Sequence, residues 1–180
     1  DMHLRWRNLP KPVIAAVQGY CIFGGWMVAS TADVVFAADD AMFLGTLFQY
    51  FSIPWDIHPR RAKELLFQGR FINGEQAREL GLVNRVVPRA ELDAAVMAYA
   101  RDVAANDPQQ MRLTKQAINA AQDAQGFTAS IQAAHGLYML NWATEKDPGF
   151  ALAVPSGKRR PMVQVALERY RRDMERLGRA

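Results

Sequence analysis

Hydrophobic positions follow two regimes along the chain. In the first third they form short unbroken runs, and after Pro88 they recur every three or four residues. Pro12 precedes Val13-Ile14-Ala15-Ala16-Val17, whose length and β-branched content predict a buried strand that Gly19 ends. Gly24-Gly25 is followed by Trp26–Ala32, a wholly apolar stretch that reads as a short buried helix. Val34–Ala38 reads as a second strand and Asp39-Asp40 as a turn. Strand, Gly-rich turn, helix and strand in this order make a βαβ-like unit. From Met42 to His58 no period holds, yet Phe43, Phe48, Tyr50, Phe51 and Trp55 occur there with almost no charge. Such a segment is expected to line a pocket or to pack on a partner.

Helical signals dominate the rest. Pro59 suits a first helical position, Arg60–Phe67 follows, and Gly69 stops it. Asn73 is a candidate cap for Glu75–Leu80, with Gly81 as its end, and Leu82–Val87 reads as a short strand closed by Pro88. Leu92 to Val103 has helical spacing, Asp107 and Pro108 open another helix, Gly126 breaks it, and Thr128–Trp142 forms the next. Turns are expected at Lys146-Asp147-Pro148-Gly149 and from Pro155 to Pro161, before a basic helix from Met162 to Leu177. Two or three strands cannot cover this much helix. Further strands are therefore expected before Asp1 or from another chain, and the start at Asp1 reads as a cut into a longer polypeptide. No internal repeat or low-complexity segment occurs.

Composition narrows the class. The chain has 180 residues, 50% hydrophobic and 22% charged, with one cysteine. This is globular composition, and it excludes collagen-like, disordered and disulfide-stapled chains. A lone Cys21 fits a reducing compartment. The formal charge of +4 is concentrated after Gly157, in Lys158, Arg159, Arg160, Arg169, Arg171, Arg172, Arg176 and Arg179. That tail reads as a solvated helical face, or as a surface that meets phosphate groups or an acidic neighbouring subunit. It lacks the aromatic platform or paired recognition helices of a nucleic-acid binder. No run is long and apolar enough to predict a membrane span.

Candidate chemistry is sparse. Gly24-Gly25 opens a helix, where backbone N–H groups lack partners and a glycine lets an oxygen approach closely. An oxyanion hole is built this way, although close helix–strand packing also requires glycine. Asp33, Asp39 and Asp40 read as cap and turn residues. Asp56 and His58 sit in the aromatic segment, where burial and neighbours set the protonation of an acid or base, or else where they serve as turn residues. Cys21 reads as a packed thiol, and His3 and His135 show no metal-ligand spacing.

Lys11-Pro12-Val13-Ile14-Ala15-Ala16-Val17-Gln18-Gly19-Tyr20, Gly24-Gly25, Ala32-Asp33 and Ala37-Ala38-Asp39-Asp40-Ala41-Met42-Phe43 resemble the enoyl-CoA hydratase/isomerase (crotonase) family. So do Arg61–Arg70, Ala77 and Gly81–Pro88, and, more weakly, Lys115-Gln116-Ala117-Ile118-Asn119. The resemblance implies an α/β fold, a partial crotonase-like ββα spiral over residues 1–88. A helical trimerisation region over 89–160 and a basic helical extension over 161–180 follow. It also implies roughly 80–100 further residues before Asp1. The partners implied are an acyl-CoA substrate and copies of the same chain, as a trimer or hexamer. No separate cofactor is expected beyond the coenzyme A of the substrate. A cytoplasmic place in fatty acid metabolism is expected.

The resemblance makes Gly24 the N–H donor to a thioester enolate and places Gly24 and Phe23 at the bound thioester. The family's two water-activating glutamates fall at Met27 and near Leu47, and neither side chain moves a proton. Asp56 or His58 is then expected to do so. Hydration of an enoyl-CoA is the leading expectation. Isomerisation, thioester hydrolysis or C–C cleavage of a bulky or cyclic acyl-CoA, and non-catalytic acyl-CoA binding, are the alternatives.

Overall fold

The computed structural model describes residues 2–144 and 161–178. A short helix, α1 (Met2–Arg7), precedes the strand β1 (Ile14–Val17). Gly19, at φ 59°, then turns the chain into β2 (Tyr20–Ile22), which belongs to a different sheet. After the helix α2 (Gly24–Ala29), β3 (Val34–Ala38) and β4 (Met42–Leu44) repeat the alternation. β3 lies parallel to β1 with Val34 opposite Ile14, and β4 lies parallel to β2 with Phe43 opposite Cys21. The helices α3 (Ile53–Asp56) and α4 (Pro59–Gln68) follow. Then β5 (Ile72–Asn73) joins β4 antiparallel, and after α5 (Gly74–Leu80) the strand β6 (Arg85–Val87) joins β3 parallel. The sheets run β1-β3-β6 and β2-β4-β5, and this alternation is the ββα spiral implied by the resemblance.

Among the described residues the expectation of two or three strands is thus corrected to six, in two sheets. β2 and β4 have three residues each, too few to show an alternation. Turn chemistry sets their pairing: the Met42 N–H donates to the Gly19 carbonyl at 2.8 Å, and the Gly19 N–H donates to Asp40 Oδ1 at 3.3 Å. The helix expected over Trp26–Ala32 runs from Gly24 to Ala29 instead. The Ser30 and Thr31 hydroxyls turn back onto the Trp26 and Val28 carbonyls and end it. The strand expected from Leu82 begins only at Arg85. Before it, Asn84 exchanges two hydrogen bonds with Val35, both at 2.8 Å, one through its side-chain Oδ1. A side chain there takes over a rung of the ladder.

The predicted caps hold. Asn73 and Gln76 form a reciprocal capping box on α5, and Gly69 and Gly81 end α4 and α5 in the left-handed conformation. The helical region comprises α6 (Leu92–Ala104), α7 (Pro108–Ala124, capped by Asp107) and α8 (Phe127–Ala143). The turns expected at Lys146–Gly149 and from Pro155, together with Lys158, Arg159 and Arg160, lie outside the described residues. The last helix, α9 (Pro161–Arg176), was expected as a solvated face or as a surface for phosphate groups or a neighbour. Its apolar face docks on the second sheet of its own chain. Val163, Ala166, Leu167 and Tyr170 recur at helical spacing and meet Leu44 and Phe71. Arg70 pairs with Asp173 at 3.2 Å beside this contact, while Arg171, Arg172 and Arg176 stay exposed.

Two buried cations fasten α7, one to the first sheet and one to α1. Lys115 of α7 meets Asp33 Oδ2 at 2.7 Å and the Lys11 carbonyl at 3.2 Å. The same Asp33 oxygen accepts the Val13 N–H at 2.7 Å. Arg7 of α1 reaches Asp123, the Asn119 carbonyl and Gln122, and its guanidinium lies 4.2 Å from the centre of the Phe127 ring. Lys115→Met leaves a partly exposed Asp33 carboxylate without its counter-charge. It is expected to cost about 1 kcal/mol in urea-denaturation free energy. Adding Asp33→Asn should recover much of that loss.

Candidate functional site

Two cavities meet at Asp56. The larger, about 450 Å³, opens between β1, the end of α2, α6 and α7. The smaller, about 260 Å³, is lined by Asp56, Trp55 and Gly81 and extends along α2 to Trp26 and Cys21. Ser30, Ala32, Asp33, Asp56 and Gln122 line both, so Asp56 belongs to the shared wall.

Asp56 closes the single turn of α3, and the Ser52 hydroxyl donates to its Oδ2 at 2.8 Å. The residue lies deep in the protein mass yet stays open to solvent, because it faces cavity space rather than a packed neighbour. Burial pushes its carboxyl up to about 6, and the Ser52 hydrogen bond opposes that shift. A carboxyl in this range exchanges its proton near neutral pH. Ser52 was not singled out from the sequence. The four-residue spacing to Asp56, which brings side chains together on a helical turn, is the signal that could have found it.

His58 is placed differently. It is exposed and caps α4, its Nδ1 accepting the Arg60 N–H at 3.3 Å, and it lines neither cavity. The structure therefore does not bring Asp56 and His58 together in one chamber. Asp33, Asp39 and Asp40 hold the positions expected of cap and turn residues. The Arg89 N–H donates to Asp39 at 3.1 Å, and the Arg89 guanidinium pairs with Asp40. That hydrogen bond is the main cause holding the Asp40 carboxyl below its ordinary range. Cys21 is buried, and burial pushes its thiol up to about 12, so it is not a thiolate nucleophile at neutral pH.

Gly24 opens α2, at the end away from Ser30 and the larger cavity. Phe23 turns the chain into this helix at φ 48°, a left-handed conformation in a bulky residue, stored at a cost of about 1–3 kcal/mol. Its ring stands edge-on to Phe48 with centroids 6.4 Å apart. Gly24 itself has no positive φ, and a Cβ built on it meets no atom within 4 Å. Close helix–strand packing therefore does not demand glycine at this position. The first N–H groups of α2 lack intrahelical partners, and Gly24 lines neither of the two cavities. Met27, one turn on, is half-buried against the core and near Tyr50 and Phe127, and Leu47 is half-buried. Neither supplies an ionisable group.

The sequence model described as enoyl-CoA hydratase/isomerase matches residues 1–146. A curated relative from Mycobacterium tuberculosis, named "Putative enoyl-CoA hydratase EchA13", is 36% identical over 147 residues, covering 77% of this chain and 46% of the relative. A solved structure described as a "probable enoyl-CoA hydratase" from Mycobacterium thermoresistibile is 42% identical, with a TM-score of 0.75. The match covers 78% of this chain and 62% of that one. A monofunctional enoyl-CoA isomerase from Mycobacterium smegmatis is 31% identical, with a TM-score of 0.65 over 72% of this chain and 66% of its own. This chain thus spans about half the length of the curated relative it matches.

The raised Asp56 carboxyl has a thermodynamic consequence. Between its unfolded value near 4 and its folded value near 6, the folded state holds the proton more tightly. The stabilisation tied to that proton is present at low pH and is lost as pH rises through about 6. Asp56→Asn carries no such charge. Its thermal stability relative to wild type should therefore rise between pH 4.5 and pH 7, then level off. Denaturation midpoints across that range check it.

Proposed function

The chain belongs to the enoyl-CoA hydratase/isomerase family, and we propose that the full protein acts on an acyl-CoA thioester through an enolate held by the Gly24 N–H. The observation that carries this reading is the open space at the Cβ position of Gly24, where neither packing nor backbone conformation demands glycine. Removing a proton next to the thioester carbonyl drives negative charge onto its oxygen. An N–H at a helix start, fixed in advance, stabilises that charge without reorganising. Coenzyme A enters as part of the substrate, beside Phe23 and Gly24.

Asp56 is the proton carrier in this proposal. Its carboxyl titrates near 6 and it lines the cavity that extends along α2. His58, as the exposed cap of α4, no longer shares that role. Adding water across a double bond by the family's usual route needs two ionisable groups, and Met27 and Leu47 occupy those places. A proton shift across the enolate needs one. Isomerisation of an enoyl-CoA is therefore the reaction favoured, and hydration is the second reading. Self-association belongs to the same proposal. α8 exposes Leu137, Met139, Leu140 and Trp142, each more than half accessible, and a helix this apolar on all sides suits an interior.

The test is a panel of 2-enoyl- and 3-enoyl-CoA substrates with the full protein. Gly24→Ala fills the approach to the N–H and is expected to lower kcat about 100-fold while leaving the melting temperature within a few degrees. Proportional loss of stability and turnover would return Gly24 to a packing role. Asp56→Asn should abolish most turnover and His58→Ala should not; unchanged turnover in Asp56→Asn would sink the assignment.

A further inference from the structure

Tyr50 holds a polar atom that the fold leaves unused. The residue is 2% exposed, its ring stacked on His3 and edge-on to Phe127. It also lines the larger cavity. Among the described residues its hydroxyl makes no hydrogen bond, and no fully enclosed side-chain nitrogen or oxygen lacks a partner. An unbonded hydroxyl on so buried a residue must therefore open onto cavity space, and the cavity that Tyr50 lines provides it.

The surroundings define what this hydroxyl can meet. Ile14, Val103, Met111, Ile118 and Phe127 give the cavity an apolar wall. The two cations on the lining are already engaged, Arg7 by Asp123 and Lys115 by Asp33. An anionic ligand finds no unpaired positive charge there and meets Asp56 as well. A plain hydrocarbon would dry the cavity and leave the phenolic O–H unsatisfied, at a cost of about 1–3 kcal/mol. An apolar body with one neutral oxygen, keto or hydroxyl, satisfies both the wall and the O–H. The volume, the apolar lining and the few placed polar groups are those of a small-molecule site.

We propose that the larger cavity takes the remote part of the acyl group and that Tyr50 selects substrates with a neutral hydrogen-bond-accepting oxygen there. This rests on the acyl-CoA reading of the preceding section. Asp56 joins the two cavities, so the reacting end lies along α2 and the far end lies against α6 and α7. Tyr50 is then a specificity residue on the wall that it shares with Asp56.

The experiment compares decenoyl-CoA with its 9-oxo derivative on the full protein, in wild type and in Tyr50→Phe. Phenylalanine keeps both ring contacts and removes the O–H alone. The expected result is a preference of wild type for the 9-oxo substrate. In Tyr50→Phe, kcat/KM for that substrate should fall about 10- to 100-fold, with little change for the plain chain. Equal loss on both substrates, or no loss on either, overturns the proposal. A second arm uses saturation-transfer NMR with the neutral ketone 2-decalone. Binding that Tyr50→Phe weakens supports the site; no binding, or binding indifferent to the substitution, overturns it. If wild type turns over neither acyl-CoA, the acyl-CoA reading fails, and the ketone arm alone decides whether Tyr50 reads an oxygen.

Discussion

Asp33 Oδ2 joins three segments that are far apart along the chain. It accepts the Val13 N–H just before β1, belongs to the residue before β3, and meets the Lys115 ammonium of α7. It ties α7 to the first sheet, while Arg85 of β6 lies over the Tyr99 ring of α6 and the contact of Arg7 with Asp123 tethers α1. A pair whose carboxylate is open to solvent adds little net stability. It fixes where α7 crosses the sheet, however, and α7 forms one wall of the larger cavity.

That crossing makes α2 the dividing element. Six residues of helix span about 9 Å, with Gly24 at one end and the Ser30–Asp33 turn, shared by both cavities, at the other. The apolar faces of α2 are enclosed by Phe43, Phe48 and Val35, and Trp26 stands edge-on to Phe43. Trp26 and Ala29 are buried by these contacts, while Gly24, Gly25 and Val28 are exposed. The strain at Phe23 is tolerated because the surrounding contacts over-determine the turn and hold the first N–H of α2 in place.

The resemblance gave the spiral, and the residues alone gave the caps and several helix boundaries. Asp107, Gly126, Gly69, Gly81 and Asn73 act where they were expected to, because capping is local chemistry between residues two to five apart. β2, β4 and α3 were not legible, since three or four residues carry no period and their place is set by distant partners. The docking of α9 was illegible for a related reason. Its apolar stripe shows in the sequence, but Phe71 and Leu44, which receive it, are roughly a hundred residues away. At the site, Gly24 was legible as an ambiguity that the open space around it addresses. Asp56 was legible as a residue type in an apolar segment, whereas its partner Ser52, its cavities and the unbonded Tyr50 hydroxyl are products of tertiary structure.

The polar groups divide by task. Arg7, Asp33, Lys115, Asp40, Arg89, Arg70 and Asp173 are matched to opposite charges and hold elements together. An engaged charge is a poor catalyst, since its protonation and position are committed to its partner. The remaining candidates are backbone N–H groups at the start of α2, one carboxyl kept near neutrality by burial and one phenol. A thioester enolate needs little more: a fixed donor for the oxygen, a group that exchanges a proton near neutral pH, and apolar walls that keep water from competing for both. The exchange of glutamates for Met27 and Leu47 fits that division. It leaves those two half-buried positions without a charge that would need a partner.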